Sequence, residues 1–280
     1  MPLRLFSSKS NVASLVVGLL HGVTYFSASY YLPLHAQAVK GYGPLQSGLF
    51  VLPFQLAISI SSAASGISIR KTGRYLELIY IGLALLLVSM ILLIFFTKAT
   101  TPLSTLIAIQ ILAGCGTGIS YTSPLLALPS GVLVKDNATA TSIFCFIREL
   151  STAISVVLGG VLFQNSMQKR NKELVTLVGE KVASLFSGKT AAANALLVKG
   201  LESSQKAHVW DIYAKSLSQM WILFACTGAA ALLASIFISR RSLSKEHVEA
   251  VVGLPREAGD HSLGNLRHRA HAAGQQQDES

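Results

Sequence analysis

Six stretches of the chain are apolar for long enough to cross a lipid bilayer, and more polar segments separate them. The hydrophobic runs predict spans at about residues 12–34, 46–69, 77–97, 103–128, 140–163 and 219–239. Each span is expected to be an α-helix, because a helix satisfies its own backbone hydrogen bonds where lipid offers no partner. The pattern therefore predicts an all-α membrane protein with six transmembrane helices.

The overall composition fits a membrane protein better than a water-soluble one. Apolar residues make up 51% of the chain, charged residues only 13%, and the mean hydropathy is +0.52. The net charge of +10 could suggest a nucleic-acid partner, but most lysines and arginines lie in loops beside apolar spans, where lipid headgroups explain them better. We therefore expect membrane lipids as partners and no nucleic acid.

The basic residues also predict the orientation of the helices. One set of flanks carries most of the cations: Arg4, Lys9, Arg70, Lys71, Arg74, Lys135, Arg240, Arg241 and Lys245. The short loops opposite carry only Lys40 and Lys98, so both termini are predicted to be cytoplasmic. The predicted organisation is a cytoplasmic segment 1–11, five transmembrane helices with short loops over 12–163, a long extracytoplasmic loop 164–218, a last transmembrane helix 219–239 and a cytoplasmic, disordered tail 240–280.

The long loop contains apolar residues at helical spacing. These are Leu174, Leu177, Val178, Val182 and Leu185. The spacing predicts an amphipathic segment that either lies on the membrane surface or caps the helix bundle. We expect no seventh span there.

Polar and small residues recur on single faces of several spans. The stripes are Gln55, Ser59, Ser62 and Gly66 in the second span, Gln110, Gly114, Gly118 and Tyr121 in the fourth, and Arg148, Thr152, Ser155 and Gly159 in the fifth. Such a face either packs against another helix or lines a wet cavity. We favour packing for the serines and glycines, and a cavity or a gating network for Gln55, Gln110 and Arg148.

Arg148 and Glu149 are charges placed inside a span. An arginine at this depth costs about 2.5–3.5 kcal/mol on insertion scales unless it faces a partner or water. Glu149 is the adjacent residue and points about 100° away on a helix, so it cannot satisfy Arg148 in the simplest geometry. A partner on another helix, or snorkelling toward the headgroups, is the alternative to a cavity role.

Nothing in the sequence indicates an enzyme. The run from Gly114 to Gly118 has glycine spacing superficially like that of a nucleotide-binding loop, but it lies within a span and follows no strand. The three cysteines, Cys115, Cys145 and Cys226, lie in apolar spans without metal-ligand spacing. We therefore expect no catalytic residues, no metal and no cofactor.

Several segments of the chain resemble a known transporter family. The stretch YYLPLHAQAVKGYGPLQSGLFVLPF from Tyr30 to Phe54, the connection from Gly66 to Arg74, the glycine run ending at Pro124 and the segment ATATSIFCFIRELSTAISVVLGGVLFQN agree in order and spacing. Together they are similar to the C-terminal half of fungal major facilitator transporters of the 14-span drug:proton antiporter group. The resemblance covers about residues 2–245.

The resemblance implies one half of a major facilitator fold, in which two six-helix halves rock around a central site. It implies proton-coupled efflux of amphipathic small molecules, such as drugs or fungal secondary metabolites, across the plasma membrane or, second, the vacuolar membrane. The substrate-cavity residues it implies are Tyr30, Tyr31, Gln55, Gln110, Tyr121 and Arg148. The cytoplasmic gating loop it implies consists of Gly66, Arg70, Lys71, Gly73 and Arg74, with Glu149 as the candidate for coupling to protons.

One departure from the family pattern concerns the fifth span. Family members commonly carry two glycines soon after the arginine, whereas this chain has Ser151 and Thr152, so we expect a looser helix contact there. A second departure is length, since the chain supplies only one half of the family fold. The alternative is therefore a truncated, transport-incompetent half-transporter or a membrane interaction partner, and a second six-span half is a possible partner in either case.

Overall fold

The computed structural model describes residues 6, 8–127 and 137–239. Nine α-helices occur within these residues: α1 Lys9–Ala38, α2 Pro44–Phe50, α3 Leu52–Thr72, α4 Leu76–Phe96, α5 Leu103–Ala127, α6 Asn137–Lys169, α7 Asn171–Val178, α8 Glu180–Ala183 and α9 Ser203–Ser235. Three short 3₁₀ helices, Ser184–Phe186, Gly188–Thr190 and Ala195–Gly200, lie between α8 and α9. The predicted tail 240–280 lies outside the described residues.

Six membrane-spanning helices are confirmed within the described residues. Helices α1, α4, α5, α6 and α9 are each long and apolar enough to cross a bilayer, and α2 and α3 together form the sixth span. The second span is interrupted at Val51. Pro53 follows the interruption and has no N–H to offer the carbonyl of Leu49, which breaks the regular hydrogen-bond pattern there.

Successive spans run antiparallel, and hydrogen bonds join their ends. At one end the Tyr75 hydroxyl donates to the Ser239 carbonyl, and the Ser239 N–H donates to Ser10 Oγ, both at 2.9 Å. This end, which also carries Arg70 and Lys71, is called the basic end. It is the end that the sequence predicts to be cytoplasmic.

At the opposite end Lys40 ties two loops together. Its Nζ donates to the carbonyls of Ala99 and Thr101 at 2.6 and 2.5 Å. Burial lowers the pKa of the Lys40 amine below its usual value. The connection after α1 is a tight turn, since Gly41 has a φ of +65° and its backbone packs against the ring of Trp210.

The last helix begins at Ser203, well before the predicted start of the span at residue 219. Hydropathy missed its first turns because they are amphipathic, yet Val209, Ile212 and Tyr213 are fully buried. Helix α6 likewise continues to Lys169. The part of the predicted loop that lies between these two long helices is therefore shorter than expected. It covers about residues 170–202, consists mainly of short helices, and is called the cap.

The cap packs on the bundle. Leu174 is fully buried in the main hydrophobic core, and Leu177, Val178 and Val182 contact that core. The Tyr213 hydroxyl donates to the Ala191 carbonyl at 2.7 Å, which ties α9 to the cap. Of the two positions that the sequence left open, the structure places the amphipathic segment on the bundle, except for Leu185, which is exposed.

Helices α3, α4 and α5 pack closely through small residues. A Cβ added to Gly118 would lie 2.1 Å from Ser61 Oγ and 2.5 Å from the Ile58 carbonyl of α3. One added to Gly116 would lie 2.5 Å from the Leu86 backbone of α4. The glycine stripe of α5 therefore serves packing, as expected from its spacing.

Helices α1 and α6 are also close, which corrects the expectation of a looser contact at Ser151. A Cβ on Gly22 of α1 would lie 2.0 Å from Ser151 Oγ. The small residue that permits the contact is on α1 rather than on α6. Two hydrogen bonds reinforce this pair, from Tyr31 Oη to the Val156 carbonyl at 2.6 Å and from Ser155 Oγ to the Val23 carbonyl at 2.8 Å.

Candidate functional site

A cleft of about 630 Å³ lies between α3 and α5, in the part of the bundle nearer the basic end. Its wall includes most of the polar stripe of α3, namely Ser59, Ser62 and Gly66, together with Arg70 and Tyr121. We call it the basic-end cleft. Its size suits an amphipathic small molecule, since ligand pockets commonly enclose about 300–1,000 Å³.

Arg148 of α6 does not line this cleft itself but stacks on Tyr121, which belongs to the wall. Its Cζ is 4.2 Å from the centre of the Tyr121 ring, a cation–π distance. One buried guanidinium nitrogen, Nη1, has no hydrogen-bond partner among the described residues. The partner on another helix is therefore an aromatic face rather than a carboxylate, and an unsatisfied donor remains beside it.

Tyr25 belongs to the same cluster, although sequence reasoning did not single it out. Its ring lies 6.3 Å from that of Tyr121, edge to face, and 6.4 Å from His21. His21 is buried, and its Nε2 has no hydrogen-bond partner among the described residues. The signal that could have found Tyr25 is its position one helical turn after His21.

The two predicted glutamines take different positions. Gln55 is half-buried, and its Nε2 donates to Ser29 Oγ of α1 at 3.1 Å. Gln110 is buried in α5, and neither of its amide atoms has a partner among the described residues. A role for either residue in a transport cavity stays a prediction.

Tyr30 and Tyr31 line a second cleft, of about 540 Å³, toward the opposite end. Tyr30 is 55% exposed, whereas Tyr31 is buried and bonded to α6. Three of the six predicted cavity residues thus line these two clefts, whereas Gln55, Gln110 and Arg148 line neither of them. Tyr121 belongs to the first, with Arg148 beside it, and the two tyrosines of α1 belong to the second.

Glu149 is exposed on α6, while the neighbouring Arg148 is half-buried, as the helical geometry predicts. In the connection after α3, Gly73 ends the helix with a φ of +69°, a conformation that favours glycine. Arg70, Lys71 and Arg74 are exposed around it. Gating by this loop and proton coupling by Glu149 stay predictions.

The cluster combines groups that are common in sites for small molecules. Aromatic rings supply apolar area, and the guanidinium and hydroxyl groups supply a few oriented polar contacts. In the described part of the chain, no group of three His, Cys, Asp or Glu side chains is placed to hold a metal ion.

Comparison with known proteins shows the family to which the chain belongs. The profile of the Major Facilitator Superfamily matches residues 2–156. The chain is 37% identical over 257 residues to the MFS-type transporter ppz2 of Metarhizium majus, covering 92% of this chain and 44% of that protein. It is 38% identical over 254 residues to the efflux pump dotC of Dothistroma septosporum, covering 91% and 43%. With the efflux pump FUS6 of Gibberella fujikuroi it shares 30% identity over 227 residues, covering 79% and 40%.

The chain belongs to the major facilitator superfamily and is a multi-pass membrane protein. It spans less than half the length of the curated relatives that it matches.

Proposed function

We propose that the chain forms one half of an efflux transporter that exports amphipathic small molecules, such as fungal secondary metabolites. The observation that carries the proposal is the basic-end cleft, where Arg148 stacks on Tyr121 within a cluster of aromatic side chains. Two of the similar fungal proteins are named efflux pumps. Drugs are a second substrate class with the same amphipathic character.

A second six-helix half is the proposed partner, and the exposed face of α6 supports it. Glu149 lies about 18 Å along this helix, at 1.5 Å per residue. It is flanked on the exposed surface by the large apolar residues Phe146 and Leu150. A carboxylate on such a face is costly against lipid, and contact with another protein surface or a water-filled passage removes that cost.

Protons are the proposed coupling ion, with Glu149 as the titrating group. Glu149 is an exposed acid in the membrane-spanning part of α6. A second half packed on this face would enclose its carboxylate. The plasma membrane is the proposed location, with the vacuolar membrane second. The choice of protons as the coupling ion and the choice of membrane both rest on the family relationship.

Efflux from yeast cells tests the proposal. The chain is produced together with the part of the Dothistroma relative that it does not match, and cells are loaded with the amphipathic dye Nile red. We expect dye export that requires both polypeptides and an inward proton gradient. Export by neither the pair nor the chain alone would contradict the proposal and support the transport-incompetent alternative.

Variants of Arg148 connect the activity to the site. Arg148→Ala is expected to lower the export rate by about tenfold, the equivalent of roughly 1.4 kcal/mol, since it removes the stacked cation. Arg148→Lys keeps the charge but not the planar group, so an intermediate rate is expected. Lys172→Ala, at an exposed cap position, is the matched control. Unchanged export by Arg148→Ala would remove this residue from the site.

A further inference from the structure

The second cleft is formed by three parts of the fold. Helix α1 contributes Tyr30 and Gln37, helix α6 contributes Phe163 and Gln164, and the cap closes the cleft with Lys189. Its volume is about 540 Å³. We call it the capped cleft. It is distinct from the basic-end cleft, because the two share no lining residue.

Besides two tyrosine hydroxyls, the polar side chains of the capped cleft supply one cation and two carboxamides. The Gln37 amide is held in place, since its Nε2 donates to Ser47 Oγ at 2.9 Å. Gln164 and Lys189 have no hydrogen-bond partner among the described residues. The ion pair between Lys215 and Asp211 of α9 joins two residues that do not line the cleft. The cleft therefore presents a cation with no hydrogen-bonded acid in the described part of the chain, and the Gln164 carboxamide, which can donate or accept.

The apolar part of the cleft is aromatic. Tyr30 is more than half exposed, and its ring packs edge to face on buried Tyr31, with centroids 5.0 Å apart. Phe163 is buried at the base. A large ring that is fixed by a neighbour and still exposed is a platform on which a flat ligand can stack with little loss of side-chain freedom.

The charge of the surroundings has the same sign as Lys189. The cap and its edges carry more basic than acidic residues, with Lys169, Arg170, Lys172, Lys181, Lys189 and Lys199 against Glu173, Glu180 and Glu202. A surface of one predominant sign concentrates ligands of the opposite sign.

We propose that the capped cleft is a binding site for aromatic carboxylates. The ring of the ligand stacks on Tyr30, and its carboxylate accepts hydrogen bonds from Lys189 and Gln164. Binding itself requires no transport. The use of this site as the exit station for exported acidic molecules rests on the proposed function.

Equilibrium binding to the full chain in nanodiscs of neutral phosphatidylcholine tests the site. The probes are 2-naphthoate and its uncharged isostere 2-naphthamide, with uptake by empty nanodiscs subtracted. At neutral pH and low salt, the carboxylate is expected to bind about fivefold more tightly than the amide, the size of a favourable exposed ion pair. Equal affinity for the two probes would overturn the proposal.

Two variants and a control locate the binding. Lys189→Gln is expected to abolish the preference for the carboxylate, and Tyr30→Ala to weaken both probes. Lys199→Gln removes an exposed cation of the same segment that does not line the cleft, so it should keep the preference. A preference that survives in Lys189→Gln would also overturn the proposal. Nile red export is measured separately, so a protein that binds naphthoate without exporting dye would fail only the proposed function.

Discussion

The α3–α5 pair and the α1–α6 pair are both close helix contacts, but they are close for different reasons. Between α3 and α5, the space at Gly114 and Gly118 is bounded by main-chain atoms of Phe54 and Ile58 as well as by the side chains of Ala57 and Ser61. Between α1 and α6, the space at Gly22 and Gly159 is bounded by the side chains of Ser151 and Tyr31.

This difference decides which contact can adapt. A backbone carbonyl in a helix cannot move without moving the helix, whereas a side chain can change rotamer or be replaced. We therefore expect α3 and α5 to behave as one rigid unit. The α1–α6 contact should tolerate repacking, and this is the contact beside which the capped cleft lies.

The largest expected effect is on the rigid contact. Gly118→Ala should lower the free energy of unfolding by about 3 kcal/mol, because its methyl group meets the Ile58 carbonyl. Gly66→Ala is the matched control, since no atom lies within 4 Å of a Cβ placed there. Thermal unfolding in detergent compares them. A Gly118→Ala protein as stable as the control would show that the two helices can separate.

The next effect should be smaller and, unlike the first, should be rescued by a second substitution. Gly22→Ala is expected to cost about 2 kcal/mol through overlap with Ser151. In a Ser151→Gly background the same substitution should cost nothing, because the obstructing side chain is gone. A double-mutant cycle measures this coupling. In the α3–α5 pair, Ser61→Gly should fail to rescue Gly118→Ala, since the Ile58 carbonyl remains; rescue there would erase the distinction between the pairs.

The smallest effect concerns one hydrogen bond of the adaptable contact. Tyr31→Phe removes the donor to the Val156 carbonyl and should lower the free energy of unfolding by about 1 kcal/mol. Tyr30→Phe on the exposed neighbouring ring should leave it unchanged. Equal unfolding temperatures for the two variants would mean that the hydroxyl of Tyr31 contributes nothing to the α1–α6 contact.

The sequence predicts the spans well because lipid imposes a uniform requirement. A residue that faces lipid must be apolar, so the mean hydropathy in a sliding window of residues identifies a span directly. The same window missed the start of α9 at Ser203, because Val209 and Ile212 are buried against protein while their neighbours face water. Helix content outside the apolar length depends on tertiary packing, which the window does not contain.

The sequence predicts several residues of the candidate site, but not how those residues are arranged in space. Tyr121 and Arg148 stand out because polar groups in spans are rare, but their stacking depends on how α5 and α6 are placed. Tyr25 carries no such signal beyond its spacing from His21. The closeness at Ser151 was misjudged because Gly22, more than a hundred positions earlier, supplies the missing volume.

The hydrogen bond from the Ser239 N–H to Ser10 Oγ places the exit of α9 beside the entry of α1. The first span therefore starts, and the last span ends, at neighbouring points on the same side of the membrane. Such a six-span unit can be repeated along a polypeptide without an additional span between the copies, because a linker on that side reaches the next unit without crossing the membrane. A tandem duplication of such a unit would therefore give two copies with the same orientation in the membrane.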